Sequence, residues 1–199
     1  MFLVGLTGNY GMGKSTVLAT FGSLGAVVMS ADAIVGRLLE DERVRDRIRG
    51  MFGDDVIGNG GRLDKKTVAS RIFSDPEQRK RLEALLHPLV FAEIEAAASN
   101  PDYADRVIVV EVPLLFESSA ELKFRKTITV HTSEEKAVGR LERKSISREE
   151  ALARLEAQMP ISEKIKRADY AIDNSDSEEE TERQVGKIYR DLVSLSRTS

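Results

Sequence analysis

The stretch Phe2-Leu3-Val4-Gly5-Leu6-Thr7-Gly8-Asn9-Tyr10-Gly11-Met12-Gly13-Lys14-Ser15-Thr16 decides the fold. Its first six residues are mostly strand formers, and Val17, Leu18, Phe21 and Leu24 follow at helical spacing, so the order is strand, loop, helix. The loop Gly8 to Ser15 obeys the pattern G-x-x-x-x-G-K-[ST]. Glycines let the backbone turn so that successive amides point at phosphate oxygens, and the start of the helix adds its positive end. Lys14 is expected to reach the β and γ phosphates of a nucleotide, with Ser15 as a ligand to Mg²⁺ and Thr16 completing the set. A glycine-rich turn carrying a solvated lysine would need every motif position and the strand-to-helix context to coincide.

Outward from this loop, residues 26–29, 106–112, 126–131 and 170–173 read as four further strands. Runs apolar on both faces and separated by helical patterns indicate parallel strands covered by helices. The expected fold is therefore a three-layer α/β/α P-loop kinase fold with a five-stranded parallel sheet, a helical substrate-binding insertion and a helical lid. Residues 1–32, 101–135 and 168–199 form the core of a single domain, 33–100 the substrate-side insertion and 136–167 the lid. The insertion contains a loop, residues 53–63, with four glycines near Asp54, Asp55 and Asn59. Val44, Ile48, Met51 and Phe52 fit one helical face, and Leu82, Leu85 and Leu86 another, which Asp75-Pro76 opens. Pro88 predicts a break at His87, because proline lacks the amide donor and disfavours helix at the residue before it. Between Lys136 and Arg167 nine basic residues face five acidic ones, which suits passage of an anion. The last helix, residues 178–195, carries apolar positions at alternating spacing and an acidic start that complements its positive N-terminus.

Composition narrows the function. The 199 residues are 41% hydrophobic and 32% charged with net charge −3, too balanced for general adhesion to nucleic acid or an anionic membrane. There is no cysteine, which removes disulfides, thiolate metal sites and a cysteine nucleophile and fits a reducing cytosol. No segment approaches the apolar length of a membrane span, and the first residues read as a buried strand rather than a leader. No nucleic-acid, membrane or obligate protein partner is implied.

GTPases, motor ATPases and small-molecule kinases share this loop, so its use of the nucleotide must be read elsewhere. The guanine signature N-K-x-D is absent. Glu111, at the end of the third strand, either holds Mg²⁺ through water or is simply a strand-end carboxylate. The short chain and the late basic segment favour a kinase with a mobile lid that neutralises charge and excludes water. A nucleoside or nucleotide monophosphate kinase, and a P-loop sensor without turnover, remain as other readings.

The chain resembles the dephospho-coenzyme A kinase family along nearly its whole length. Besides the P-loop, the likeness rests on Ala31-Asp32, Phe52-Gly53, Gly61-x-Leu63-Asp64, Ile72-Phe73, Leu82-Glu83, His87-Pro88, Pro113-Leu114-Leu115-Phe116-Glu117, Gln158, Lys164, Ala168-Asp169 and Asn174. Leu-His-Pro followed in order by Pro-Leu-Leu-Phe-Glu is its specific part. The resemblance implies phosphorylation of the ribose 3′-hydroxyl of dephospho-CoA by ATP and Mg²⁺. It implies Asp32 as catalytic base, in keeping with the need of a weakly nucleophilic hydroxyl for a carboxylate that orients it and takes its proton; Asp32 can also cap the helix that follows. Arg140 resembles the lid arginine on the ATP phosphates, and Asn174 follows the strand where the family places adenine. Lys65, His87, Leu114, Phe116 and Glu117 correspond to the acceptor side, with Leu114 to Phe116 as an apolar wall. His131 reads as structural. Three departures stand out: Ser30 replaces the first carboxylate of Asp-Ala-Asp, Lys65 stands where arginine is common, and the lid is one residue short, leaving Arg143 or Lys144 for its second basic position. Lysine keeps the charge at 65 without arginine's bidentate fork.

Overall fold

In the computed structural model, which describes residues 2–58 and 60–198, strand β1 (Phe2–Thr7) is buried at every position. It is central in a sheet ordered β2-β3-β1-β4-β5, with β2 (Val27–Ser30), β3 (Val107–Glu111), β4 (Lys126–His131) and β5 (Tyr170–Asp173) all paired in parallel. Alternation sorts the side chains between faces. Phe2, Val4, Leu6, Val107, Val109, Ile128 and Val130 join Val17, Leu18 and Phe21 of α1 (Lys14–Ser23) and Val185, Ile188 and Leu192 of α9 (Glu178–Ser196) in one core. On the other face a Cβ at Gly5 would lie 3.0 Å from Leu115 and 3.1 Å from Phe124, so the bare glycine lets that segment close onto β1. There, too, Thr129 of β4 donates its hydroxyl to the carbonyl of Lys164 in α8 (Ile161–Arg167) at 3.1 Å. Helices cover both faces of a parallel sheet, which is the three-layer P-loop kinase fold read from the sequence.

The register brings strand ends together. Leu6 and Ser30 both pair with Glu111, and His131 pairs with Asp173, so the carboxyl ends of all five strands lie along one edge, where ligands of open α/β sheets bind. The second strand starts one residue later than the periodicity suggests, because the Ala26 amide donates to Phe21 in the turn that ends α1.

The chain divides into two compact units, residues 1–30 with 98–199, and residues 31–97. In the first, α6 (Glu134–Glu142) and α7 (Arg148–Glu156) join α8 and α9 beside the sheet. The second contains α2 (Ala31–Leu38), α3 (Glu42–Phe52), α4 (Lys65–Ser74) and α5 (Pro76–Ala98), around a core of Val44, Ile48, Phe52, Val56, Val68, Leu82, Leu85 and Leu86. Asp41 and Asp64 cap α3 and α4 by accepting from backbone amides, and Asp75 does the same ahead of Pro76. Asn59 of the glycine-rich loop lies outside the described residues.

The break expected at His87-Pro88 does not occur: α5 runs through Pro88 as one helix. Interior proline costs about 3 kcal/mol. Against this, Leu82, Leu85, Leu86, Val90 and Ile94 are buried on both sides of it, each contributing about 1.5–3 kcal/mol when removed from water. Packing outweighs the lost hydrogen bond, and His87 is an exposed residue of a continuous helix.

Candidate active site

The loop from Gly8 to Gly13 is shaped by its neighbours as much as by its own sequence. Gly13 has φ of 90°, and a Cβ there would lie 2.0 Å from the amide nitrogen of Asn174. Gly8 is equally constrained, since a Cβ would meet the carbonyl of Val130 at 2.3 Å. Only glycine satisfies both the left-handed backbone and the close approach.

Helix α1 starts on this loop with Gly13 as N-cap and no side-chain cap. By contrast, side chains cap α3, α4, α6, α7 and α9, with Asp41, Asp64, Ser133, Ser147 and Ser177. An N-terminus whose amides no side chain satisfies is where an anion is favoured, by the orphan donors and the helix dipole together. Lys14 is buried with its ammonium 3.3 Å from the carbonyl of Asn9, folded back over the loop. The Ser15 hydroxyl lies 3.4 Å from Glu111 Oε2, at the end of β3. A hydroxyl beside a carboxylate is a hard-oxygen pair of the kind Mg²⁺ takes, so the residues present fit that ion. No cluster of three or more His, Cys, Asp or Glu that could hold a metal by protein ligands alone occurs among the described residues.

Arg140 reaches the same loop from α6. One guanidinium nitrogen donates to the carbonyl of Asn174 at 2.9 Å. The other, Nη1, is buried without a hydrogen-bond partner and lies 3.2 Å from the Cβ position of Gly13. A buried, unpaired cationic donor at a helix start without a side-chain cap is a ready partner for an anion. Asn174 takes a different part from the one the sequence suggests. Its amide donates to Met12 O at 2.9 Å, its Oδ1 accepts from Thr181 at 3.1 Å, and the residue is buried. Its side chain is thus engaged in bracing the loop. His131, expected to be structural, sits with Nδ1 3.9 Å from Asp173. The Asp173 carboxyl is held below the usual range mainly by Ser175, with the charges of His131 and Lys136 adding to the effect against burial.

Sequence reasoning did not assign the residues that hold the outer side of the loop. Met12 is buried with Ala137, Val138 and Leu141 of α6 and Ala151 and Leu155 of α7, and its sulfur accepts the Thr132 amide. Arg154 stacks over the Tyr10 ring at 4.9 Å and donates to its hydroxyl. The Tyr10 amide donates to Gln158 Oε1 at 2.8 Å, and the Asn9 amide to Met159 O at 3.1 Å. Helix α7 accordingly ends at Glu156, ahead of these two residues. Gln158 was visible only as a residue of the family likeness, and nothing in its local spacing connects it to a loop 148 residues away.

The wall expected from Leu114 to Phe116 is mostly interior. Leu115 and Phe116 are buried, Phe116 beneath the Arg167 guanidinium at 4.8 Å, and only Leu114 is exposed. Glu117 pairs with Lys164 at 2.8 Å and accepts from the Met159 amide at 3.1 Å. Its carboxylate serves the protein's own framework. Asp32, Lys65 and His87 belong to the unit of residues 31–97, on three different helices, and all are exposed: Asp32 in the first turn of α2, Lys65 at the start of α4, His87 on α5. Arg143 and Lys144 are also exposed, just past the end of α6.

The sequence profile of dephospho-CoA kinases matches residues 2–180. The chain is 37% identical to the dephospho-CoA kinase of Aquifex aeolicus over 191 residues, 96% of this chain and 97% of the relative. It is 39% identical to that of Thermus thermophilus over 192 residues, 96% and 92% of the two chains. Among solved structures, the dephospho-CoA kinase of Campylobacter jejuni superposes with a TM-score of 0.70 at 29% identity, covering 97% of this chain and 98% of its own. A shikimate kinase from Bacteroides thetaiotaomicron, at 16% identity and TM-score 0.50 over 96% and 98% of the chains, shares the fold.

Proposed function

The chain belongs to the dephospho-CoA kinase family, and from that premise we propose how its residues divide the work of phosphorylating the ribose 3′-hydroxyl of dephospho-CoA with ATP. The observation that carries the assignment is the unpartnered Nη1 of Arg140 at the uncapped start of α1. The loop from Gly8 to Thr16 cradles the ATP phosphates, and Lys14 swings from the Asn9 carbonyl onto them. Lys14 and Arg140 then neutralise the charge that spreads over the transferring group. Ser15 would hold Mg²⁺, with Glu111 beside the Ser15 hydroxyl, and the ion would supply positive charge to offset that of the phosphates.

Asp32 is the base. It stands two residues past the end of β2, whose last residue, Ser30, pairs with Glu111 at the carboxyl edge of the sheet. Its carboxylate orients the 3′-hydroxyl and receives its proton as the new P–O bond forms and the bond to ADP breaks. Ser30 supplies no second carboxylate, so the proton has one acceptor there. On the acceptor side, Lys65, His87 and the exposed Leu114 contact dephospho-CoA, Lys65 as a point charge. Residues 136–167 act as a lid, with Arg143 or Lys144 adding a second positive charge, while residues 33–100 carry the acceptor side. The absence of cysteine supports work in a reducing cytosol. No helix among the described residues is long and apolar enough to cross a membrane.

The test is ADP release with ATP and Mg²⁺ against dephospho-CoA, adenosine, AMP, CMP or no acceptor, for the wild type and Asp32→Asn. Turnover with dephospho-CoA alone, reduced about 10²–10⁴-fold in the variant, is expected of a general base. An Asp32→Asn enzyme of unchanged kcat would leave Asp32 as a first-turn carboxylate that complements the α2 N-terminus and not the base.

A further inference from the structure

Lys164 is fully buried in the first unit. Its ammonium lies 2.8 Å from Glu117 Oε1 and 3.1 Å from the carbonyl of Pro113, which also accepts the Thr7 hydroxyl at 3.1 Å. Burial pushes the lysine pKa down, and the Glu117 carboxylate opposes that shift. A buried ion pair is a weak source of net stability, because desolvation of both charges offsets their attraction, and apolar residues of the same shape often serve as well. What such a pair does supply is a fixed geometry.

The geometry here leads to the nucleotide loop. The same Glu117 oxygen that holds Lys164 accepts the Met159 amide at 3.1 Å, and the Met159 carbonyl accepts the Asn9 side-chain amide at 3.1 Å. The preceding residue, Gln158, accepts the Tyr10 backbone amide at 2.8 Å. Asn9 in turn presents its carbonyl to the Lys14 ammonium at 3.3 Å. Lys164 and Glu117 thus stand behind two hydrogen bonds that fix the first turn of the loop, and Asn9 links that turn to Lys14.

We infer that Lys164 and Glu117 are positioning residues for ATP: the ion pair sets the Gln158-Met159 segment, which holds Asn9 and Tyr10 in the conformation that receives the nucleotide phosphates. The inference rests on the reading of Gly8 to Thr16 as the ATP site. It removes Glu117 from the acceptor contacts and gives the carboxylate a task on the opposite substrate.

Steady-state kinetics with both substrates varied, well below each variant's Tm, test it. Glu117→Ala is expected to raise KM for ATP about tenfold, the scale of a lost hydrogen bond to a charged group, with kcat and KM for dephospho-CoA within about twofold. Glu117→Gln, whose carbonyl still accepts the Met159 amide but leaves the Lys164 charge unpaired, is expected to recover only part of the loss. Asn9→Ala removes the last link, so its effect on KM for ATP and that of Glu117→Ala combine less than additively. A rise in KM for dephospho-CoA instead would make Glu117 an acceptor contact and overturn the proposal. So would a lower Tm with both KM values unchanged. If Glu117→Ala does not accumulate folded, Asn9→Ala and Gln158→Ala decide, and an unaltered KM for ATP in both overturns the proposal. Lys14→Met separates the two levels. If it leaves ATP binding intact, the ATP-site reading fails; if it abolishes binding while Glu117→Ala is silent, only the positioning role does.

Discussion

Asn174 donates its side-chain amide to the carbonyl oxygen of Met12 at 2.9 Å, across 162 residues of sequence. The same residue accepts Arg140 on its backbone carbonyl and Thr181 on its side-chain oxygen, so the phosphate loop, helix α6 and helix α9 meet at one buried asparagine. The Thr181 hydroxyl also reaches the Ser177 carbonyl at 3.2 Å, so the bond to Met12 O is the one that rests on the Asn174 side chain alone.

Asn174→Ala should therefore destabilise the fold by about 1–3 kcal/mol, the cost of leaving buried polar groups unpaired, with KM for ATP rising as the loop loosens. Asn174→Asp should be no better, since a carboxylate cannot donate to Met12 O. Urea unfolding with fixed slope m, alongside ATP kinetics, checks both. Stability within about 0.5 kcal/mol of the wild type, the range of ordinary surface substitutions, would contradict the bracing role.

Arg140→Ala should lower kcat about 10²–10³-fold, as expected when a donor to developing charge is removed. Tm should fall only modestly, by the one hydrogen bond that Nη2 makes to Asn174 O, because Nη1 has no partner to lose. Arg140→Lys should recover only part of the rate, one ammonium replacing a fork that reaches both Asn174 O and the loop. An unchanged kcat in Arg140→Ala would dismiss the assignment.

Acid stability should respond to Asp169. Burial pushes its carboxyl upward, but Lys126 at 2.8 Å and the amide and hydroxyl of Thr127 outweigh it, and the folded pKa lies below the ordinary value. The unfolded chain then binds the proton more readily. The contribution is present above the unfolded pKa of about 3.9 and is lost as pH falls through the folded one. Asp169→Asn should flatten the acid limb of a stability-pH curve below about pH 4; an identical limb would exclude Asp169 as a source.

At the alkaline end, burial and the Asp191 carboxylate raise the Tyr170 phenol to about 12. The folded state holds this proton where the unfolded state has released it, so the contribution is complete below about pH 10 and lost as pH rises through the folded value. Absorbance titration of the wild type against Tyr170→Phe should locate one phenol ionising near pH 12. An ordinary value near 10 would contradict the pairing with Asp191.

Much of this was legible in the sequence. Strand β4 has the predicted bounds because an interior parallel strand of an α/β sheet shows as a short apolar run between helical patterns, and the edge strand β5 has them because Tyr170-Ala171-Ile172-Asp173 stands between two helical patterns. The phosphate loop was legible because its chemistry is compressed into consecutive residues. Pro88 misled because local propensity was read without the packing that overrides it in α5. Phe116 misled for a related reason: an apolar residue after a strand looks the same whether it faces a ligand or, as here, a stacked Arg167.

The sequence by itself determined the loop, the five strands, the family and the candidate groups for the chemistry, because each is set by spacing along the backbone and by side-chain type. Only the tertiary structure decided what those groups face: that Arg140 keeps a buried guanidinium nitrogen unpaired beside Gly13, that Asn174 braces Met12, and that Glu117 answers to Lys164. The reason is physical. A hydrogen bond or ion pair between distant residues depends on strand order, register and helix packing, and these arise from burying the whole set of apolar faces at once, which no local spacing encodes.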